Sequence, residues 1–378
     1  RMTSDEERAA QLRSLVSSCL TPYYDTHFNL LRWLQAYPTL SVDKVAHKLR
    51  HHLMFRTSEW KVDELHEKKR GYHPIHKYWP TLETGMSGVI PNCVVFVDQG
   101  GNIDHDAIHE NFSHTEILKA KLYDVEAVLA TIMRVEKETG KQATVLFVID
   151  FDGFQYSKKL VDLLTGPMMS RAEFLLTHYV ELFKHIVIVN CPAWANAVWA
   201  MLKHLLPQRT RDKLCLLSSS SWRDEIASLM DPSIGPAFWN NEKHSEFKLP
   251  MERPPRVPIL DTKNPLEKLD KLHLRAGKEH WMEYDLEKGD VIAIHVTSNS
   301  SFGFTIVHEE SDTDDVFAMR PVFPLFTSVH GTNKTPIKDE IIIPVTGTYK
   351  VWFSNAQSWF SSVTIHHSVE ILKNSLAN

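Results

Sequence analysis

The sequence predicts two folds in tandem: an α/β domain on a largely parallel sheet, entered through a helical lobe, and then an all-β sandwich. Three observations carry this. Short β-favouring runs (Cys93–Val97, Val145–Ile149, Ile186–Val189, Leu214–Leu217) alternate with helix-patterned stretches up to residue 250, which is the order of βαβ units. From about Lys268 the helical period stops, and β-rich runs punctuated by turns take over (VIAIHVTSNSSFGFTIV, IIIPV, TGTYKVWFSN, SSVTIHHSVEIL), as in a sandwich. Between them, Pro250 to Pro258 with Pro254 and Pro255 reads as a semi-rigid linker. The boundaries so drawn are 1–70 for the helical lobe, 71–250 for the α/β domain, 251–265 for the linker and 266–375 for the sandwich. The halves on either side of the linker are expected to fold separately.

Within the lobe, Ser4 and Glu7 fit a capping box. Phe28, Leu30, Leu31, Trp33 and Leu34 give a second helix that Pro38 ends. Ser41 caps a third, in which Val42, Val45, Ala46, Leu49, Leu53 and Trp60 recur near a 3.6-residue period. Lys61 to Pro80 is a polar link. Cys93–Val97 is a strand, followed by the turn Asp98-Gln99-Gly100-Gly101-Asn102, whose glycines suit positive φ. Ser113 caps a long helix to about Thr139, closed by Gly140. VLFVIDFDG (Val145–Gly153) ends in an acidic turn, read as structural because no nucleophile or base accompanies it. Leu160 to Phe183 is a helical stretch interrupted at Gly166-Pro167, its Leu, Met and Phe side chains suiting an adaptable apolar wall or a plain core.

The stretch Ile186 to Leu217 is the most informative. A buried strand leads to Pro192, which suits the first turn of a helix. The helix, about Ala193 to Leu206, carries Trp194, Val198, Trp199, Met201, Leu202, Leu205 and Leu206 around nearly its whole circumference. A surface helix shows one apolar stripe, so this one either lies in a core or meets lipid. It is too short to span a bilayer, which takes about 20 residues.

The run strand, Asn190-Cys191-Pro192, apolar helix, Thr210-x-x-Lys213, strand resembles the CRAL-TRIO family of lipid-binding and lipid-transfer proteins, in which this helix is a mobile gate over a single-lipid cavity. LLRWLQAY with VDKVAHKLRHHLMFR resembles the helical lobe that precedes that fold, though Gln35 and Tyr37 stand where relatives carry further arginines. Tyr179-Val180-Glu181 stands at the family's Tyr-Pro-Glu. Further on, Pro344-x-x-Gly347-Thr348-Tyr349 and Phe353-Ser354-Asn355-x-x-Ser358 resemble the GOLD domain. The layout is that of supernatant-protein-factor-like and tocopherol-associated-like proteins. The resemblance implies that Glu181, Thr210 and Lys213 contact a phosphoinositide head group. The chemistry fits, since a phosphate takes a cation and a hydroxyl donor, while a carboxylate accepts from inositol hydroxyls. A structural Glu–Lys pair is the other reading. The resemblance also assigns Trp194, Val198, Trp199, Met201, Leu202 and Leu205 to the gate and pocket.

Composition agrees with a globular chain: 43% hydrophobic, 24% charged, net charge −5. That balance implies no polyanion attraction, so no nucleic-acid partner is expected. Cys191 and Cys215 sit in apolar runs and suit reduced, buried thiols of a cytoplasmic protein. Peripheral association with Golgi or other intracellular membranes is expected. His105 and His109, beside Asp104 and Asp106, are placed in a loop without a third ligand, so no metal is expected. His366 and His367 point to opposite strand faces and cannot chelate together. No cofactor is expected, and no G-x-S-x-G, P-loop, G-x-G-x-x-G or H-E-x-x-H motif is present, which argues against an enzyme. The expected partners are one hydrophobic lipid (phospholipid, phosphoinositide, tocopherol or isoprenoid), a transient membrane surface and an unidentified protein that meets the GOLD domain. The rival readings are a trafficking adaptor whose pocket its own side chains fill, and an α/β hydrolase.

Overall fold

The computed structural model describes residues 4–204, 208–234, Glu252, Pro254, 268–310 and 313–374. The lobe consists of α1 (Ser4–Val16), α2 (His27–Ala36) and α3 (Val42–Arg56). Thr26 and Ser41 cap α2 and α3 by accepting from the Asn29 and Lys44 amides. α3 stops at Arg56, so Trp60 lies beyond the helix it was expected to extend. The stretch 61–80 is not a plain polar link. Two tight three-residue-period turns, Val62–Glu67 and Pro74–Lys77, bury Val62, Leu65, Ile75 and His76, and Tyr78 and Trp79 are buried just after the second. A three-residue repeat places one side chain in three on the same face, so a mostly polar stretch can still pack.

The α/β sheet runs in the order β1 (Thr81–Met86), β2 (Cys93–Asp98), β3 (Thr144–Asp150), β4 (Phe183–Cys191), β5 (Leu214–Ser218). Only β1 is antiparallel; β2 to β5 are parallel. Helices fill the crossovers: α4 (His105–Asn111) and α5 (His114–Thr139), then α6 (Lys158–Leu163) and α7 (Met169–His178), then α8 (Ala193–Leu202) and α9 (Gln208–Arg211), with α10 (Trp222–Ile226) after β5. Ser113 forms a full capping box with Glu116 at the start of α5, and Gly140 closes it at φ 67°. The Gly100-Gly101 turn is glycine-rich for a different reason from the one expected. Neither residue has positive φ, but a Cβ on Gly101 would lie 2.0 Å from the Asp152 carbonyl oxygen. The turns after β2 and β3 press together there. Asp150 is structural, its carboxylate accepting from the Asn190 side chain and the Asp152 amide, both at 2.8 Å. β5 is an edge strand, so Cys215 is exposed rather than buried; Cys93 and Cys191 are buried, and all four thiols are free.

The second half is two four-stranded antiparallel sheets. One is ordered β10 (Arg320–Val329), β9 (Phe302–His308), β12 (Gly347–Ser354), β7 (Glu279–Leu286). The other is ordered β11 (Ile337–Ile342), β8 (Val291–Ser298), β13 (Val363–Leu372), β6 (Asp270–Leu274). Alternate residues Ile292, Ile294 and Val296 of β8 face Tyr349, Val351 and Phe353 of β12 across the core. His367 is buried and His366 is not, as strand alternation requires.

The halves do not stand apart. One apolar core runs from the lobe through the sheet into the sandwich. Trp60 meets Phe323 edge-on at 5.6 Å, Phe174 of α7 lies 4.9 Å from Phe326, and His114 lies 5.6 Å from Phe326. The His114 amide donates to the Pro336 carbonyl at 2.9 Å, and Lys119 pairs with Asp339 at 2.9 Å. α6 and α7 form one helix through a π turn, Leu164–Met168, which absorbs Pro167 without a break. That turn abuts Gly331 (φ 75°), where a Cβ would sit 2.2 Å from the Pro167 ring. Beneath α3, Arg56 forms a bidentate pair with Glu126 of α5 at 2.7 and 2.8 Å, both side chains 0% exposed. Tyr179 donates to the same carboxylate at 2.6 Å, and Asp63 takes the remaining face of the guanidinium. In the same way Arg32, in the Leu-Leu-Arg run of α2, is spent inside the protein on Glu136 and the Ala143 carbonyl.

Candidate functional site

Between α7 and β4 the chain turns at Glu181, one of four non-glycine residues with positive φ (51°) among the described residues, a conformation that side chains other than Asn and Asp seldom take. The turn lifts its carboxylate beside β5. The Ile186 amide donates to the Lys213 carbonyl at 2.8 Å, which fixes Lys213 at the entry of β5, and the Lys213 amide donates to Thr210 at 3.2 Å. Lys213 Nζ then lies 3.1 Å from Glu181 Oε2. The three residues singled out from the sequence, Glu181, Thr210 and Lys213, are brought together on one wall of a cavity of about 950 Å³.

The other walls come from elements the sequence did not connect with that trio. α2 and α3 supply Trp33, Lys48, His51 and His52; α7 supplies Glu173, Phe174 and His178; the sandwich supplies Phe317, Leu325 and Phe326. The cavity is thus an inter-domain cleft of mixed lining, its aromatic and aliphatic side chains interspersed with histidines and hydroxyls and the ion pair at one side. The Leu-, Met- and Phe-rich stretch 160–183, which suits an adaptable apolar wall, supplies Met169, Phe174, Leu176 and Phe183 to it, and a further trace in the sequence is the His51-His52 pair, whose members are buried in a helix that presents mostly charge to solvent.

Residues 91–240 match the CRAL/TRIO domain. The chain carries a CRAL-TRIO domain. Residues 256–377 match a second family, described as F28H7_8_C:-like, C-terminal domain. Two proteins of Caenorhabditis elegans are similar over most of their length. CRAL-TRIO domain-containing protein F28H7.8 is 24% identical over 313 residues, covering 77% of this chain and 72% of its own. Protein ctg-1 is 22% identical over 356 residues, covering 90% of each. Among solved structures, Sfh5 is similar at a TM-score of 0.46 with 14% identity, over 59% of this chain and 82% of that one.

In the CRAL-TRIO domain the apolar helix α8 leaves the opposite end of β4 from Glu181. A nine-residue strand separates them by about 30 Å. α8 is shorter than expected, ending at Leu202, and Pro192 occupies its cap rather than its first turn. Val198 and Ala195 are buried, while Trp194 and Trp199 are half-buried and Trp194 meets Tyr156 edge-on at 5.8 Å. The side chains of Met201 and Leu202, and all of Leu205, lie outside the described residues. Trp194, Val198 and Trp199 do not line the inter-domain cleft.

His105 and His109 lie on α4, not in a loop, because Asp104 caps that helix through the Ala107 amide. Both rings are engaged: His105 Nε2 with the Gly100 carbonyl at 3.0 Å, His109 Nδ1 with the His105 carbonyl at 2.7 Å, and His109 Nε2 with Arg171 at 2.6 Å. Among the described residues no group of three His, Cys, Asp or Glu could hold a metal, and no helix is long and apolar enough to cross a membrane.

Burial sets the electrostatics of the cleft. It depresses His51 to about 4 and holds His52 and His178 well below the ordinary imidazole range. These two neutral rings share one hydrogen bond, Nδ1 to Nδ1 at 2.9 Å. Burial also raises the Glu173 carboxyl to about 7. A folded-state value above the ordinary 4.5 means that stability is lost as pH rises from there through about 7, after which the loss is complete. The negative charge that forms over the upper part of this window faces the cleft. Binding of an anionic lipid is therefore expected to weaken between pH 6 and 8, and Glu173→Gln should flatten both that slope and the stability slope. Titration of binding in the wild type and the variant checks this; equal slopes would place the pH response on another group.

Proposed function

We propose that the protein binds one hydrophobic lipid and carries or presents it, with the polar head at Glu181, Thr210 and Lys213. The observation that supports this most is their convergence on the wall of a large cleft in which aromatic and aliphatic side chains (Phe174, Leu176, Phe183, Phe317, Leu325, Phe326) alternate with histidines and hydroxyls. A lysine and a threonine hydroxyl suit a phosphate, and the glutamate suits the hydroxyls of an inositol. The acyl part is held by burial, at about 0.8 kcal/mol per CH₂. Such binding involves no covalent chemistry. α8, with two half-buried tryptophans on an apolar helix, is read as the gate of the CRAL-TRIO domain. The sandwich is read as a GOLD-type interaction module. A cytoplasmic place with transient contact at Golgi or other intracellular membranes accords with this reading.

Lipid extraction and mass spectrometry of the purified protein test for a bound ligand. The site itself is tested by Lys213→Ala. A hydrogen bond to a charged group contributes about 1.5–3 kcal/mol, so phosphoinositide affinity should fall roughly 10- to 150-fold. A tocopherol, held by apolar burial, should bind as before. Equal loss for both ligands would make the Glu181–Lys213 pair a structural one.

A further inference from the structure

The loop between β12 and β13 (355–362, NAQSWFSS) holds the two most exposed large apolar side chains among the described residues, Trp359 at 87% and Phe360 at 97%. The loop is not loose. The Asn355 side-chain amide donates to the Leu274 and Ser361 carbonyls at 3.2 and 2.8 Å. Ser358 Oγ donates to the Ser361 carbonyl at 2.8 Å and accepts from the Ser361 amide at 3.0 Å. Trp359 and Phe360 lie inside that Ser358–Ser361 clasp, so the backbone holds both rings out in water by construction. Hydration of two whole aromatic side chains is unfavourable, and a clasp that enforces it points to an apolar medium the rings enter.

Two features identify the medium. Gln357 of this loop lines the inter-domain cleft, and it also lines a second cavity of about 370 Å³ walled by Ser300, Ser301, Ser358 and Ser361. The prong therefore stands beside the cleft where the lipid is read to reside, with a shelf of neutral hydroxyls behind it. The segment from Val351 to Val369 also contains no Asp, Glu, Lys or Arg. A protruding Trp-Phe pair backed by serines, on a segment that carries no charge of its own and meets the exposed Arg275–Lys278 turn at its Asn355 base, matches the boundary between head groups and acyl chains, where Trp is favoured and hydroxyls find lipid oxygens.

We infer that the β12–β13 loop is a membrane-docking prong that inserts Trp359 and Phe360 into a neutral bilayer interface and brings the cleft to the lipid surface. The placing of the cleft rests on the lipid-carrier reading; the insertion does not. The test is flotation of the full chain with pure phosphatidylcholine vesicles, comparing the wild type with Trp359→Ser/Phe360→Ser. The partition coefficient should fall at least roughly tenfold, and wild-type binding should persist from about 50 to about 500 mM NaCl because apolar insertion into an uncharged lipid surface drives it. Thermal unfolding of the variant should match the wild type, since the exposed rings contribute little to the fold. Equal flotation of both proteins would overturn the inference. So would binding abolished by salt, or a wild type that leaves these vesicles unbound, which would assign the prong to a protein partner. Lipid extracted from each protein reports on the cleft separately: no lipid in either, with prong-dependent flotation intact, sinks the carrier reading and leaves the prong.

Discussion

Glu126→Gln is expected to destabilise the protein by about 3–5 kcal/mol, because it removes one partner from a fully buried ion pair and leaves Arg56 charged in the core. Total stabilities are only about 5–15 kcal/mol, so much of the variant should be unfolded under mild denaturant. Asp63 reaches the guanidinium from the partly exposed side, but it cannot replace the bidentate contact at 2.7 and 2.8 Å or accept from Tyr179. Removing both charges with Arg56→Met/Glu126→Leu should cost less than the single change, since no fully buried ion is then stranded and Asp63, 14% exposed, keeps the Thr21 hydroxyl and solvent. Urea unfolding of the three proteins makes the comparison, and a loss below about 1 kcal/mol for Glu126→Gln would show that Asp63 suffices.

The second large effect concerns the junction. Phe326 is 2% exposed and wedged between Phe174, His114 and the sandwich core. Phe326→Ala is expected to cost about 3–5 kcal/mol through lost burial and the cavity left behind. Because the lost contacts span both halves, calorimetry should show one transition in the wild type and two in the variant. A chain cut between Met251 and Thr262 should likewise elute as one assembled particle, and the same cut in Phe326→Ala should release two. Two separate transitions in the wild type would mean that the interface carries no coupling, as the linker composition alone suggests.

What the sequence made legible was local. The strand-Asn-Cys-Pro-helix run, the Ser113 cap and Gly140 stop, and the alternation of β8 and β12 all follow from periods of 3.6 or 2 and from capping chemistry, which act over a few residues. The meeting of Glu181 with Lys213 was also within reach, because parallel strands β4 and β5 must sit side by side. The cleft was not: its walls join His51, Phe174 and Phe326, residues whose adjacency depends on how the sandwich docks, and no short-range period encodes that. The Arg56–Glu126 pair falls between these cases. Arg56 continues the Leu49, Leu53 stripe of α3, and Glu126 the Leu118, Leu122 stripe of α5. Opposite charges on two apolar stripes are a readable sign of a buried pair once the two helices are known to face each other.

The packing of Gly331 against the π turn at Pro167 has a thermodynamic consequence. The cleft has one wall on α7 and another on β10, and this close backbone approach holds the two in register. A ligand that touches both walls has full affinity only for the docked arrangement. Linkage then runs in both directions: whatever loosens the junction, such as a side chain at position 331, lowers affinity, and saturating ligand tightens the junction in return. At a free ligand concentration a hundredfold above Kd that reinforcement is about 2.7 kcal/mol, close to what a single buried aromatic contributes. Cargo then acts as a reversible rivet between the two halves, and an empty molecule is the one most ready to come apart at the seam.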